Sequence, residues 1–375
     1  MTSPDLTRTL ADIGVGDRPV TGGKAAGLGE LASAGITVPP GFVVTTRAFA
    51  LVLRALDPEG ALRAGLARLP AGDNAEVARS TARVRRLIAA APLPGGLHDA
   101  ITAQYRRLGG GPVAVRSSGT GEDSAEASFA GMADSYLWVR GTDSVVDHVR
   151  SCWASLYNAE AVSYRRRMRI DERDLGMAVI VQRMVDPRSS GVMFTCSPVT
   201  GDRSVIAVEA AWGLGSALVA GDVTPDSYVV SKVTGEIVRR TVAVKLRRHQ
   251  MDPSGHGVSC EDVPEPLREQ PCVSDGEVAA LARLGRQLEQ HYGAPQDVEW
   301  AITADAAPGG GRIVVLQCRA ETVWAGRAAE PAALPKARAV DHVFAGLSQV
   351  ARIDTGTVQP GPPGTGPAGT GTGTP

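Results

Sequence analysis

The chain has 375 residues, too many for one ordinary domain, and 43% of them are apolar, which is typical of folded globular proteins rather than disordered ones. Its 39 lysines and arginines nearly balance 40 aspartates and glutamates, so a strong overall attraction to nucleic acid or to an anionic membrane is excluded. The five cysteines are scattered without a C-x-x-C pair, which argues against a disulfide framework or a zinc site. No stretch approaches the roughly 18 consecutive apolar residues of a membrane span. We therefore expect a cytoplasmic protein that binds neither nucleic acid nor membrane.

The first half of the chain alternates between helical and strand periods, with glycine and proline between the segments. In chain order, we expect a helix over 25–34, a strand over 42–44, amphipathic helices over 76–90 and 97–108, an apolar strand over 113–115 and one long helix over 144–167.

The second half is dominated by strand patterns, apart from a helix that begins at Ser274, where Ser274 and Glu277 fit a capping box. The expected strands cover 177–182, 191–196, 205–209, a hairpin of 227–232 with 236–240, and a final pair of 297–303 with 312–319. This mixture predicts the α+β class.

We place the boundary between two lobes where an apolar strand runs into a polar, proline-containing link. The expected units are an N-terminal lobe over 1–182, a C-terminal lobe over 183–330, a terminal segment over 331–354 and a tail over 355–375. The tail contains only Thr, Gly, Pro, Ala, Val and Gln, a composition that predicts disorder.

A first candidate for chemistry is Gly22-Gly23-Lys24, which contains one of only four lysines in the chain. Backbone N–H groups at a helix start favour an anion, and a lysine adds a mobile positive charge, so phosphate is the natural ligand. Ala25 stands where a P-loop would carry Ser or Thr, so this is not a P-loop. A plain glycine turn with a solvated lysine remains an alternative.

A second candidate begins with Arg116, which ends an apolar strand and leads into Ser117, Ser118 and a glycine-containing loop. An arginine beside glycines and small hydroxyl residues is typical of a phosphate clamp. Alternatively, this is a surface loop whose arginine pairs with Glu122 or Asp123.

A third candidate is the final strand pair, whose antiparallel pairing about position 308 sets Glu299 opposite Gln317 and Asp297 opposite Arg319. Carboxylate and amide oxygens suit magnesium, and Arg319 could meet a phosphate beside them. An ordinary solvent-facing hairpin surface is the other interpretation. The opposite face would pack apolar side chains, namely Val298, Trp300, Ile302, Val314 and Leu316.

Further motifs follow in order along the chain. They are G-I-T-V-P-P-G-F-V at 35–43, A-S-F-A-G at 127–131, V-Q-R-M-V at 181–185, G-V-M-F-T at 191–195, A-W-G-L-G at 211–215, V-T-P-D at 223–226, D-V-E-W at 297–300 and L-Q-C-R at 316–319. With the three candidates they resemble the N-terminal ATP-grasp domain of the family of phosphoenolpyruvate synthase, pyruvate, phosphate dikinase and rifampin phosphotransferase.

The resemblance implies a two-lobed ATP-grasp fold with the nucleotide between the lobes, and ATP and Mg²⁺ as cofactors. By their positions in the family motifs, it implies phosphate binding and catalysis by Lys24, Arg116 and Arg319, a nucleotide site lined by Gly131 and Ser135, an adenine hinge at Gln182, and magnesium ligands at Glu299 and Gln317.

Two departures from the family pattern bear on the function. Cys196 and Ser197 precede Pro198 where the family commonly has an acidic or amide residue before the proline, which concerns fine tuning of the site. None of the six histidines lies in the family's phosphohistidine motif. We therefore expect a phosphotransferase subunit whose partner, a separate phosphohistidine-domain protein, phosphorylates a small molecule. A self-contained ATP-grasp kinase or ligase and a non-catalytic nucleotide-binding regulator remain alternatives.

Overall fold

The structure, a computed structural model, describes residues 6–69, 74–120, 134–168, 170, 175–255, 257–304 and 311–324. The predicted segments over 331–354 and 355–375 lie outside these residues. The α-helices are α1 (Arg18–Ser33), α2 (Thr46–Leu56), α3 (Ala61–Ala67), α4 (Asn74–Ala89), α5 (Leu97–Arg107), α6 (Thr142–Ser155), α7 (Ala159–Arg167), α8 (Ser216–Val219) and α9 (Asp275–Tyr292).

The first sheet has five strands in the order β1-β2-β5-β3-β4, and every neighbouring pair is antiparallel. Its central strand β5 is apolar and buried along almost its whole length, as expected for a strand covered on both faces. The strands are β1 (Thr7–Thr9), β2 (Gly41–Val44), β3 (Val113–Gly119), β4 (Ser135–Val139) and β5 (Met177–Arg183).

The second sheet has six strands in the order β13-β12-β6-β7-β8-β9, again antiparallel throughout, and a separate two-stranded ribbon joins β10 to β11. The chain passes from the first sheet to the second through the short link 184–186. The strands are β6 (Pro187–Phe194), β7 (Val205–Trp212), β8 (Asp226–Ser231), β9 (Ile237–Thr241), β10 (Arg247–Met251), β11 (Val258–Asp262), β12 (Gln296–Thr303) and β13 (Ile313–Ala320).

Two hydrophobic cores hold these layers together. In the first, Val115 and Val179 on one face of the first sheet pack with helices α2 and α6, where Phe49 stacks on Trp153 with ring centroids 5.5 Å apart. The second core runs from Ile180, on the opposite face of the first sheet, through helix α1 to Trp300 in the second sheet. Helix α1 therefore lies between the two sheets, which positions its glycine turn near both.

The α+β class is confirmed, and so is the capping box at the start of α9, where the Ser274 hydroxyl accepts from the Glu277 N–H and the Glu277 carboxylate accepts from the Ser274 N–H. Among the described residues, no helix is both long and apolar enough to cross a membrane.

The single long helix expected over 144–167 is wrong, because the chain forms α6 and α7 with a break between them. Asn158 adopts an extended conformation (φ −62°, ψ 146°), which no helix interior accommodates. The break frees the Leu156 carbonyl, and the fully buried Arg165 reaches back to donate to it at 2.7 Å. The arginine thus replaces a lost helical hydrogen bond.

The final hairpin pairs as expected near its open end, but a β-bulge changes the apolar face. Glu299 lies opposite Gln317, whereas Trp300 lies opposite Val315, so Leu316 has no partner on β12. Val315 therefore joins the second core, and the expectation that Val314 and Leu316 pack there is wrong. A single extra residue reverses the faces of a strand, and the sequence pattern does not reveal it.

Candidate functional site

The glycine turn interrupts helix α1 near its start. Gly22 has φ +75° and ψ 170°, a conformation that is readily available only to glycine. The helix resumes at once, so Lys24 stands in the first turn of the longer segment. Ser118 of β3 bonds to this turn at two points, because its hydroxyl donates to the Thr21 carbonyl at 2.9 Å and accepts from the Ala25 N–H at 3.1 Å.

Arg116 links the two sheets. It lies on β3 with its side chain only 14% exposed, and one guanidinium nitrogen donates to the Leu316 carbonyl at 2.9 Å. The other terminal nitrogen donates to Gln317 Oε1 at 2.8 Å and lies 3.5 Å from Glu299 Oε2. The carbonyl that Arg116 contacts belongs to the bulged residue, so the bulge supplies part of this contact. The strand pair is thus more than a solvent-facing surface.

The remaining charged pair of the hairpin lies one step further along the same face. Arg319 Nε donates to Asp297 Oδ2 at 3.3 Å, and the two residues are direct neighbours across β12 and β13. Burial raises the pKa of the Asp297 carboxyl, the Arg319 charge opposes that shift, and nearby Glu321 reinforces it. Positive and negative groups therefore alternate along one surface.

Oxygen atoms of this surface suit magnesium. Glu299 and Gln317 present a carboxylate and an amide oxygen beside each other, and Asp297 Oδ1 is buried with no hydrogen-bond partner among the described residues. A hard divalent cation would satisfy that oxygen. Within the described ranges no group of three or more His, Cys, Asp and Glu side chains is arranged to hold a metal ion by itself. That is expected for magnesium, which commonly completes its shell with water and phosphate oxygens.

The other predicted residues fall into three groups. Ser135 lies opposite Arg116 on the neighbouring strand β4 and is exposed, so it shares a face with the arginine. Gln182 lies opposite Ala114, further along the same sheet, and its buried amide donates to the Pro39 carbonyl at 2.8 Å. Gly131 lies outside the described residues.

Two polar residues join the predicted set. Asp297 was expected on the hairpin face without a role as a ligand, and its buried Oδ1, which has no hydrogen-bond partner among the described residues, makes it a candidate ligand. Ser118 belongs to the same motif as Arg116, and the alternation of strand β3 places the two on one face. The alternation of side chains along a strand could have predicted this shared face from the sequence. It could not have predicted that Ser118 contacts helix α1.

The residues of the candidate site lie within a region that matches a known protein family. A family model described as the AMP/ATP-binding domain of pyruvate phosphate dikinase matches residues 18–339. The chain belongs to this family. Lys24, Arg116, Glu299, Gln317 and Arg319 all fall inside the matched AMP/ATP-binding domain.

Several curated proteins are similar in sequence to most of this chain. It is 44% identical over 302 residues to a rifampicin phosphotransferase from a Streptomyces species, which covers 80% of this chain and 35% of that protein. It is 41% identical over 314 residues to a probable phosphoenolpyruvate synthase from Methanothermobacter thermautotrophicus, covering 82% of this chain and 45% of the relative. A phosphoenolpyruvate synthase from Aeropyrum pernix is 41% identical over 347 residues, covering 84% and 42%. The chain thus spans less than half the length of each of these relatives.

Proposed function

We propose that this chain is the ATP-binding phosphotransferase subunit of a dikinase-type enzyme. It cleaves ATP to AMP and passes the β-phosphoryl group to a histidine on a separate partner chain, which then phosphorylates a small molecule. The observation that carries the proposal is the meeting of Arg116 with Glu299 and Gln317, a cationic group and two oxygen ligands from different sheets.

The balance of the proposed step is simple. The bond between the β-phosphorus and the oxygen that bridges it to the α-phosphorus breaks, a bond from the β-phosphorus to an imidazole nitrogen forms, and AMP leaves with that oxygen. The γ-phosphate leaves as phosphate after attack by water, or as pyrophosphate after attack by inorganic phosphate.

The residues of the chain act by placing charge around the triphosphate. In this proposal Lys24, Arg116 and Arg319 neutralise the phosphate oxygens and hold the chain of phosphates in one orientation, which is the main requirement of phosphoryl transfer. Glu299 and Gln317, with Asp297 beside them, would hold Mg²⁺, which would supply further neutralisation of phosphate charge when bound. Ser135 and Gly131 would line the nucleotide site, and Gln182 would lie at the adenine end.

In this proposal the acceptor histidine lies on another chain, which is in keeping with the side-chain contacts of the four histidines that the structure describes. His98 Nδ1 lies 3.5 Å from Asp99 Oδ1. His148 bonds to Ser144, His249 lies between Ser216 and Asp222, and His291 bonds to Glu30. The names of the relatives indicate different phosphoryl acceptors, although about four fifths of this chain is matched in each, 82% in one and 80% in the other. Both points favour acceptor sites outside the matched residues.

The test uses the purified full chain with Mg²⁺ and ATP labelled in the β-phosphate, with and without a candidate partner that carries a phosphohistidine motif. We expect AMP release and acid-labile label on the partner's histidine only when both proteins are present. The R116A variant should lose both signals, whereas R79A, a change at an exposed arginine of helix α4, should retain them.

The same experiment separates the alternatives. Equal AMP or ADP release without any partner would identify a self-contained kinase or ligase. Tight ATP binding without turnover, with every candidate partner tried, would favour a non-catalytic regulator over the proposed subunit.

A further inference from the structure

Helix α1 is interrupted at Gly22, and a side chain from another element fills the interruption. In an uninterrupted helix the Ala25 N–H would donate to the Thr21 carbonyl, four residues earlier. Here both groups bond instead to the hydroxyl of Ser118, which accepts from Ala25 at 3.1 Å and donates to Thr21 at 2.9 Å. We propose that Ser118 is the positioning residue for Lys24, a role that rests on the proposed binding of nucleotide phosphates by that lysine.

The hydroxyl acts as a helix cap supplied from a distance. A cap normally comes from the residue that precedes a helix and satisfies one of its first N–H groups. Gly22 has no side chain that could cap the helix. The cap is instead Ser118, which lies in strand β3 and is 0% exposed. The two residues that it bonds, Thr21 and Ala25, bracket the Gly-Gly-Lys turn on both sides.

Gly22 packs directly against Ser118. A methyl group built on Gly22 would lie 2.1 Å from the Ser118 carbonyl oxygen and 2.4 Å from its hydroxyl oxygen. Such distances are far inside van der Waals contact, so the glycine is required for the close approach of the turn to β3. The turn is therefore located by a steric fit and by two hydrogen bonds, all to one residue.

This arrangement ties two of the three proposed phosphate-binding cations, Lys24 and Arg116, to one strand. Ser118 and Arg116 are separated by one residue on β3, so their side chains leave the same face of the sheet. Arg116 acts from the strand directly, whereas Lys24 reaches the site from a helical turn that the strand holds in place. The spacing between the two cations thus depends on the Ser118 hydroxyl.

Ser117 supplies a matched control. It is also a serine of β3 and is also 0% exposed, but it lies on the other face of the strand, and its hydroxyl has no hydrogen-bond partner among the described residues. The variants S118A and S117A therefore make the same chemical change at adjacent buried positions. Only the first removes the two bonds to the turn.

The measurement is calorimetric titration of the full-length variants with a non-hydrolysable ATP analogue and Mg²⁺, and separately with adenosine. We expect S118A to weaken the affinity for the ATP analogue about tenfold, as the loss of two buried hydrogen bonds implies, while adenosine binding changes by less than about twofold. S117A should leave both within about twofold. The double variant K24M/S118A should bind the ATP analogue no more weakly than K24M, because the serine acts through the lysine.

Each contrary result has a distinct meaning. Equal affinities of S118A and S117A for the ATP analogue, equal losses for adenosine and the ATP analogue, or additive effects in the double variant would overturn the role of Ser118. If S118A fails to fold, the pair S118C and S117C is compared in the same way, because cysteine keeps the size and hydrogen-bonds only weakly. If the unmodified chain binds no ATP analogue, the proposed function itself fails, and the inference fails with it.

Discussion

At the scale of single residues, Lys245 and Asp226 form an ion pair that is completely buried. Both side chains are 0% exposed, and the carboxylate also accepts from the N–H groups of Ala243 at 3.0 Å and Cys272 at 2.9 Å. The pair therefore holds the segment after β9 and the segment before α9 against the start of β8. Two charges removed from water are stable together only because each oxygen has a partner.

Replacing Lys245 by methionine should destabilise the protein strongly, because it leaves the Asp226 carboxylate buried without a counter-charge. We expect the free energy of unfolding to fall by about 3–5 kcal/mol, measured by urea denaturation. The matched control is K232M, which removes a lysine from a more exposed pair with Glu289 (15% and 23% exposed) and should cost about 1 kcal/mol. Similar losses for the two variants would contradict this account, as would a failure of D226N to relieve K245M.

Lys24 and Lys245 show which residue roles can be predicted from the sequence and which cannot. Only four lysines are present, which draws attention to each of them, and Lys24 stands in a recognisable glycine context. Lys245 has no such context, since its partner lies 19 positions earlier and the link between them is irregular. Pairing of that kind depends on how loops pack, which no local pattern specifies.

At the scale of helices and strands, local sequence patterns predict most elements. They fail where contacts with other parts of the chain determine where an element ends or how it pairs. The helical pattern over 144–167 predicts one helix, yet the chain breaks at the extended Asn158, and the buried Arg165 donates to the Leu156 carbonyl that the break frees. In the hairpin, the pairing of Glu299 with Gln317 follows from counting residues, whereas the bulge at Leu316 does not. Its carbonyl meets Arg116, so the irregularity accompanies a contact from the other sheet.

The junction of α2 and α3 gives a prediction with a defined pH dependence. Burial acts to raise the pKa of the Asp57 carboxyl, but hydrogen bonds from the Leu62 and Arg63 backbone and the Arg63 side chain overcome it and hold that pKa below the ordinary 3.8. A lowered pKa means that the unfolded chain binds the proton more readily. The stabilisation is therefore complete above the ordinary pKa and is lost as the pH falls through the folded value.

For D57N, we expect the free energy of unfolding to fall by about 1–3 kcal/mol near neutral pH, because a charged acceptor of three N–H groups is lost. The deficit relative to the unmodified chain should be constant between about pH 5 and about pH 7 and should shrink below about pH 4. The control D99N changes an aspartate that is 92% exposed and should cost less than about 0.5 kcal/mol. A deficit that grows as the solution is acidified would have the wrong sign for this explanation.

At the scale of the whole molecule, the candidate site exists only because elements far apart in the chain converge. Helix α1, strand β3 and the hairpin of β12 and β13 carry the three candidates that the sequence singles out, and all three lie within residues 18–339, which the family model matches. The residue patterns suggest a phosphate or metal role for each one separately. Their meeting, through Ser118 and Arg116 on the same face of β3, is a property of the fold.

The proposed roles of Glu299 in pairing with Arg116 and in binding Mg²⁺ have opposite effects on nucleotide binding. Its carboxylate lies 3.5 Å from the Arg116 guanidinium, with which phosphate oxygens would also pair, and it is also a proposed ligand of Mg²⁺. Without Mg²⁺ the carboxylate would compete with the nucleotide for Arg116 and would repel its phosphates. Bound Mg²⁺ would neutralise the carboxylate, which would then contribute to nucleotide binding.

The variant E299Q should therefore change nucleotide affinity in opposite directions under the two conditions. With Mg²⁺ removed by a chelator, we expect the affinity for the ATP analogue to rise about threefold, since an exposed ion pair is worth up to about 1 kcal/mol. With saturating Mg²⁺ we expect it to fall about tenfold or more. E236Q, a change at an exposed turn between β8 and β9, should alter neither value. A change of the same sign in both conditions would show that Glu299 does not stand between Arg116 and the metal, and that the contact between the two sheets serves the fold rather than the nucleotide.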